Sequence, residues 1–98
     1  MNLIQHFIGG QKVSGSSKKR GKVFNPSIGK QESEVILGTK ADLDIAVEKA
    51  KKAFETWSNK PPIQRARIIF KYKELVEKNS EELTKLIVKE HGKVFEDA

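Results

Sequence analysis

The sequence contains no cysteine, and only two of its 98 residues are histidines, His6 and His91. The absence of cysteine excludes disulfides, thiolate metal sites and a cysteine nucleophile within this chain. It also agrees with a cytoplasmic location, which is the one we expect. The sequence has no run of about 18 apolar residues and no basic, apolar leader, so it predicts neither a membrane span nor a secretory signal.

Arginine is also scarce, whereas lysine is abundant. Only Arg20, Arg65 and Arg67 are arginines among 19 basic residues, which face 13 acidic ones and leave a net charge of +6. Proteins that read nucleic-acid sequence favour arginine, because its planar fork pairs with guanine and with phosphate. Lysines spread along amphipathic helices are more typical of a solvated face. We therefore expect a basic surface, which by itself does not indicate a nucleic-acid site.

Residues 1–38 carry the signals of β-structure and predict two hairpins. A short apolar run over residues 3–8 ends at Gly9 and Gly10, which can take the positive φ angles of a tight turn before residues 11–13 return.

A polar segment separates the two predicted hairpins. Residues 14–21, SGSSKKRG, have no apolar side chain and predict a loop. The second hairpin starts at Val23, turns through the proline and glycine of residues 25–29, and returns to about residue 38.

Residues 39–98 change to the helical period and predict three helices. Thr39 followed by Asp42 resembles a capping box, so a helix of about 18 residues is expected to start there and to stop before Pro61. Its apolar stripe recurs at helical spacing and comprises Leu43, Ala46, Val47, Ala50, Phe54 and Trp57.

Two further helices are expected after the proline pair. Pro62 suits the first turn of the second helix. Apolar residues occupy so much of the circumference of this helix that it needs packing partners on two sides. Ser80 is the expected N-cap of the third helix, whose stripe continues to Val94. The chain thus divides into N-terminal hairpins over residues 1–38 and a three-helix segment over residues 39–98.

The stretch KEHGKVFEDA, residues 89–98, concentrates ionisable side chains but matches neither a phosphate loop nor a zinc helix. A phosphate loop needs a glycine five residues before the Gly-Lys pair and a Ser or Thr after it, but Ile87 and Val94 occupy those places. A zinc helix needs a second histidine one turn away, and none is present. The remaining interpretation is a helix C-terminus with Gly92 as a left-handed cap.

The other candidate features also favour structural interpretations. The basic run over residues 18–22 lies in a polar loop with no interleaved aromatic residue, and Phe54 and Trp57 lie on an apolar stripe that predicts a core or an interface. The glutamate pairs are Glu32 with Glu34 and Glu81 with Glu82, and neither has a nearby apolar pocket in the sequence that would separate the pKa values of its members. No nucleophile, base and orienting group can be combined. The sequence therefore predicts no catalytic, cofactor-binding or metal-binding residue.

The ordered residues that carry a resemblance to a known family are residues 7–10, Asn25, Pro26, Gly29, Thr39, residues 41–44, Ala46, Ala50, Ala53, Phe54, Trp57, Arg65 or Arg67, Glu82, Leu83, Glu90, Gly92 and Lys93. Together they resemble the N-terminal part of the NAD(P)-dependent aldehyde dehydrogenases, and the resemblance covers essentially the whole chain. Within that family, the stretches FIGG and EHGKV, the latter followed by Asp97 and Ala98, are most similar to the CoA-acylating methylmalonate-semialdehyde dehydrogenase branch. The segment KQESE, residues 30–34, departs from the pattern, because relatives place more apolar residues there.

The resemblance implies a parent enzyme of the α/β class in which a cysteine thiolate attacks an aldehyde, NAD accepts hydride, and coenzyme A receives the acyl group. Its catalytic and coenzyme-contacting positions lie downstream of the segment that this chain resembles. The implied partners are the rest of the dehydrogenase chain and further copies of it in a homo-oligomer, with no membrane. The chain is then expected to be an N-terminal fragment that is inactive alone.

A second hypothesis comes from the charge. The chain could instead be a self-standing basic helical module that binds nucleic acid or an acidic protein. Such a module should melt cooperatively as a monomer and bind with a steep dependence on salt. A fragment should expose apolar surface and show little affinity for nucleic acid.

Overall fold

The computed structural model describes all residues, 1–98, and orders five strands before three helices. The strands are β1 (Asn2–Ile4), β2 (His6–Ile8), β3 (Gln11–Val13), β4 (Arg20–Asn25) and β5 (Lys30–Ile36). The helices are α1 (Lys40–Trp57), α2 (Pro62–Lys78) and α3 (Ser80–His91), followed by a 3₁₀ turn at Phe95–Asp97. The predicted order of two hairpins and three helices is confirmed.

The first hairpin forms at the predicted glycine pair. Strands β2 and β3 pair antiparallel, with Phe7 opposite Lys12 and Ile8 opposite Gln11. Gly9 and Gly10 have φ angles of 62° and 78°. Positive φ at both central residues matches the right-handed twist of the flanking strands, which explains why a two-residue turn needs glycine here.

The sequence predicted one strand over the apolar run of residues 3–8, but the structure divides this run. It divides at Gln5, and its first half becomes β1, which pairs in parallel with β5 through Leu3 opposite Glu34 and Ile4 opposite Val35. The resulting sheet has the order β1-β5-β4, so β5 is the central strand. A parallel partner so distant in sequence leaves no local signal, which is why the pattern missed it.

Strand β5 contains the polar segment KQESE that departs from the family pattern. It is nevertheless paired on both sides, and its residues 31–35 are all half-buried. Ile36, at its end, is 3% exposed and is the one buried apolar residue of the chain. Backbone pairing therefore makes this segment a strand in spite of its composition.

The second hairpin is longer at its start than predicted. Strand β4 begins at Arg20 rather than at Val23, which shortens the expected loop to residues 14–19. At the turn, the carbonyl of Asn25 accepts the N–H groups of Ile28 at 3.3 Å and of Gly29 at 2.8 Å. The side chain of Asn25 accepts the N–H of Ser27 at 3.0 Å, as asparagine does in such turns.

Helix α1 starts at the predicted capping box. The hydroxyl of Thr39 accepts the N–H of Asp42 at 3.2 Å, and the carboxylate of Asp42 accepts the N–H of Thr39 at 3.0 Å. These reciprocal bonds satisfy two N–H groups that a helix start would otherwise leave unpaired.

Helices α2 and α3 follow with one correction. Pro62 is the first residue of α2, as expected, but the N-cap of α3 is Asn79 and Ser80 is already helical. The amide of Asn79 donates to the carbonyl of Leu75 at 2.8 Å and so closes the end of α2 instead of capping α3. The same residue ends one helix and begins the next.

The C-terminal end of α3 is set by Gly92, as predicted. Gly92 has a φ of 81° and donates its N–H to the carbonyl of Val88 at 2.8 Å. A side chain at Gly92 would lie 3.1 Å from Cγ of Pro26, so the turn of the second hairpin approaches the helix end closely. The predicted helical stripe does not reach Val94, which is extended.

By proximity, the residues form two units, Met1–Phe24 with Gln31–Ser58, and Asn25–Lys30 with Asn59–Ala98. The predicted division between residues 38 and 39 falls between β5 and α1, but as a domain boundary it stays a prediction. No helix in the structure combines the length and the apolar character that crossing a bilayer requires.

The chain leaves much of its surface uncovered. Its solvent-accessible area is 8252 Å². Two separate globular proteins of half its 11.1 kDa mass would together expose roughly 6,800 Å². The chain therefore exposes an excess of about 1,400 Å² over that sum. Apolar side chains on every helix contribute to it, including Leu43, Phe54, Ile69, Phe70, Leu86 and Ile87.

Candidate functional site

The densest polar cluster surrounds the carboxylate of Asp42 in the first turn of α1. Asp42 is 5% exposed, although aspartate is seldom buried without partners. Its Oδ1 accepts the N–H of Ser16 at 3.0 Å and the hydroxyl of Ser16 at 3.2 Å. Its Oδ2 accepts the N–H of Thr39, and the two hydroxyls of Ser16 and Thr39 lie 2.9 Å apart.

These donors stabilise the ionised carboxylate. The backbone N–H of Thr39 lowers the pKa of Asp42 most, burial opposes that effect, and Ser16 lowers it further, so the pKa is below its ordinary value. Hydrogen bonds to the charged form favour that form. Asp42 is therefore a carboxylate that stays ionised and holds the loop over residues 14–19 against the start of α1.

His6 lies beside this cluster. Its Nε2 is 3.8 Å from Oδ2 of Asp42, which exceeds hydrogen-bond distance, and Nε2 is buried without a hydrogen-bond partner. Gly15 lies on another side, where an added Cβ would be 2.8 Å from both carboxylate oxygens. The cluster is thus closed by a glycine that leaves no room for a side chain.

The geometry does not support nucleophilic catalysis. In a catalytic triad the histidine stands between the serine and the carboxylate, because it must take the hydroxyl proton. Here the carboxylate stands in the middle, with Ser16 on one oxygen and His6 near the other. The arrangement orients backbone and does not activate a hydroxyl.

Sequence reasoning found only part of this cluster. The Thr39 and Asp42 pair was predicted as a cap, whereas Ser16, Gly15 and His6 were placed in a loop and a strand without a role. Their distance from Asp42 in sequence hides the contact. The one local signal was a glycine between two serines in SGS, a loop composition that suits a close approach to another element.

The other candidate residues lie apart from one another. Arg20, in the basic run, donates its guanidinium to the carbonyls of Ser17 at 3.0 Å and Lys19 at 3.1 Å, so it is engaged by its own loop. Phe54 is 65% exposed, so it is not a core residue of this chain, and its place in an interface stays a prediction. No three His, Cys, Asp or Glu side chains converge as metal ligands would.

Of the glutamate pairs, Glu81 is committed to a surface ion pair. Its carboxylate lies 2.9 Å from the ammonium of Lys85, one helical turn later. This contact lowers the pKa of Glu81 and raises the pKa of Lys85. The pair is exposed, and such pairs stabilise helices only slightly.

The comparisons with known proteins identify the family. The model of the aldehyde dehydrogenase family matches residues 12–98. The chain belongs to the aldehyde dehydrogenase family. It is 44% identical over 98 residues to malonate-semialdehyde dehydrogenase 1 of Geobacillus thermodenitrificans, and 42% identical over 96 residues to the protein of the same name in Geobacillus kaustophilus. The dehydrogenase segment spans about 20% of the length of these relatives.

Solved structures share the fold of the segment. It superposes with a TM-score of 0.96 and 39% identity on a structure described as a methylmalonate-semialdehyde dehydrogenase of Sinorhizobium meliloti complexed with NAD. It superposes with a TM-score of 0.94 on the methylmalonate-semialdehyde dehydrogenase of Oceanimonas doudoroffii. Each match covers 99% of this chain and 20% of the other.

The helix starts of this segment do not fit a dinucleotide. A pyrophosphate binds where a glycine-rich loop leads into a helix with free N–H groups. At α1 that place is filled by the Asp42 carboxylate, and α3 carries Glu81 and Glu82 in its first turn. At α2 the N–H groups of Gln64 and Arg65 donate to the carbonyl of Pro61. That the segment makes no coenzyme contact stays a prediction.

Proposed function

We propose that this chain is a segment of an NAD-dependent, CoA-acylating (methyl)malonate-semialdehyde dehydrogenase that works through a cysteine thioester. The observation that carries the proposal is the likeness to malonate-semialdehyde dehydrogenases along the whole chain, 44% identical over 98 residues in one relative. One solved relative is described as complexed with NAD, which supports NAD as the coenzyme.

Within that enzyme the segment has a structural role. The chain has no cysteine, so the nucleophile that the proposal requires belongs to another part of the polypeptide. The cluster at Asp42 orients backbone, and the helix starts do not fit a pyrophosphate. Residues 1–98 therefore contribute no catalytic, coenzyme-binding or metal-binding side chain.

The partners proposed for the segment are the remainder of the dehydrogenase chain and, through it, a homo-oligomer in the cytoplasm. The apolar side chains exposed on every helix support this, because large exposed apolar patches mark surfaces that bind something. Phe70 illustrates the point: it is 62% exposed in the middle of α2. Neither a membrane nor a nucleic acid is among the proposed partners.

A chimera tests the proposal directly. The matched part of the Geobacillus thermodenitrificans enzyme is replaced by this chain, and NAD reduction is measured with malonate semialdehyde, with and without coenzyme A. We expect activity in the chimera and none in the 98-residue chain alone. Because the catalytic residues of the chimera come from the other enzyme, a folded chimera that does not reduce NAD contradicts the proposed structural role of the segment.

The basic-module hypothesis has one observation in its favour, the net charge of +6. It is separated by titrating the 98-residue chain with duplex DNA and RNA at several salt concentrations. A module that neutralises phosphates loses affinity steeply as salt rises. We expect weak binding, and tight, salt-dependent binding by a monomer would replace the dehydrogenase proposal.

A further inference from the structure

A groove runs between the first hairpin and helix α1, within one of the two units. One part of it, about 600 Å³, lies beside His6 and the start of α1. A second part, about 490 Å³, lies between Phe7, the glycine turn of the hairpin, and the middle of α1. Phe7, Ile8 and Ala46 line both parts, so the groove is continuous along the helix.

The floor of the second part is made of small apolar side chains. Ala46, Ala50 and Ala53 follow one another at helical spacing and lie within about 60° of one another around the helix. Ala50 and Ala53 are exposed. An incoming apolar segment could therefore pack against their methyl groups.

The walls are apolar as well. Phe7 is 73% exposed and forms one side, so most of its surface is not covered by protein. The aliphatic carbons of Lys49 form part of the other side and lie 3.5 to 3.7 Å from the place that a Cβ on Gly9 would take. Lysine covers apolar surface with such carbons while its ammonium stays in water.

The length of chain outside this structure indicates what fills the groove. The segment superposes over 99% of its residues on a chain of which it covers 20%, with a TM-score of 0.96. The fold of the segment is therefore the same when four times as much polypeptide surrounds it. A large exposed phenylalanine beside a floor of alanines is then a surface that this further polypeptide can cover.

We propose that the groove between the first hairpin and α1 is the seat of an apolar segment from the remainder of the dehydrogenase polypeptide, packed on Phe7 and the alanine floor. This inference rests on the proposed function, since it needs that remainder. It assigns α1 and the hairpin a joint role, in which the Asp42 cluster positions the start of the helix beside the groove.

Cysteine labelling tests the proposal with a conservative change. The chain has no cysteine of its own, so Ala50→Cys introduces a unique thiol in the 98-residue chain and one identifiable labelled peptide in the chimera. We expect at least a tenfold slower reaction with a maleimide in the chimera than in the 98-residue chain. Ala53→Cys provides a second position in the same groove and should give the same protection.

Ala41→Cys is the matched control. Ala41 is exposed on the same helix, nine positions before Ala50 and about 180° around it. Its labelling rate should change much less between the two proteins. Equal labelling of the Ala50→Cys variant in both proteins overturns the groove proposal, while NAD reduction by the same chimera reports separately on the proposed function.

A second copy of the chain is the other occupant that the experiment can detect. If the 98-residue Ala50→Cys chain protects its thiol by itself and forms a dimer that dissociates on dilution, the groove binds another copy and the present proposal is wrong. A monomeric chain with a reactive thiol at this position, together with protection in the chimera, supports it.

Discussion

Replacing Gly15 by alanine should release the loop over residues 14–19 from helix α1. Gly15 has a φ of +69°, and an alanine Cβ there would lie 2.8 Å from both carboxylate oxygens of Asp42. The backbone conformation alone costs an L-residue about 1–2 kcal/mol. The contact adds to that cost, because either the carboxylate or the loop must move away from the Ser16 N–H bond.

The effect can be measured at the basic residues that follow. A cost of about 1.4 kcal/mol raises the population of an open loop about tenfold. Cleavage of a loop that opens and closes quickly follows that population. We therefore expect trypsin to cut after Lys18, Lys19 or Arg20 at least about ten times faster in Gly15→Ala than in the parent, with the first peptides identified by mass spectrometry.

Gly10→Ala is the control for backbone strain at a turn outside this loop. Gly10 has a φ of +78°, and nothing lies within 4 Å of an added Cβ. Its alanine variant should strain the hairpin turn by a similar amount but leave cleavage at residues 18–20 close to that of the parent. If the two variants are cut equally fast at these residues, the contact with Asp42 does not hold the loop.

Three further predictions concern other parts of the chain. The pKa of Asp42 lies below its ordinary value of 3.8, so the ionised form stabilises the fold above the pKa of the unfolded state. That stability is lost as the pH falls through the folded-state pKa, and circular dichroism from pH 7 downwards should show the loss of helicity. In Asp42→Asn this pH dependence should be absent. Gly92→Ala should destabilise the chimera by about 1–2 kcal/mol because of its φ of +81°, and the contact of the new Cβ with Cγ of Pro26 should add to that loss. In urea unfolding, adding Pro26→Ala should recover only the destabilisation caused by this contact. Phe70→Ala should change the stability of the 98-residue chain by less than about 0.5 kcal/mol, because the ring is 62% exposed. In the chimera the same substitution should cost about 3–5 kcal/mol. Equal effects in the two proteins would show that α2 gains no partner at Phe70.

The features that could be predicted are those whose partners are near in sequence. The capping box at Thr39 and Asp42, the glycine pair of the first hairpin and the left-handed cap at Gly92 are each complete within five residues. Their residue types are required by local backbone geometry or by unpaired N–H groups. Even the error at Asn79 is a shift of one residue, at a junction where one residue serves two helices.

The features that could not be predicted join distant residues. Strand β1 pairs with β5 across about thirty residues, and Ser16 reaches Asp42 across 26, so neither leaves a spacing in the sequence. Register and burial of this kind depend on which strand edges and helix faces meet. The same reason explains β5, where pairing on both sides overrides the polar composition of KQESE.

By itself, therefore, the sequence determined where the strands turn and where the helices begin and end, and its ordered motifs resembled the family that the comparisons then showed. Only the tertiary structure decided that Asp42 would be buried under Ser16 and Gly15 and that β1 would pair with β5. It also decided which aromatic side chains would stay exposed: Phe7, Phe54 and Phe70. Turn and capping preferences depend on neighbouring residues, whereas the burial of a residue depends on which distant parts of the chain pack against it. In this chain those surfaces cover one apolar side chain, Ile36, and leave the helix faces open.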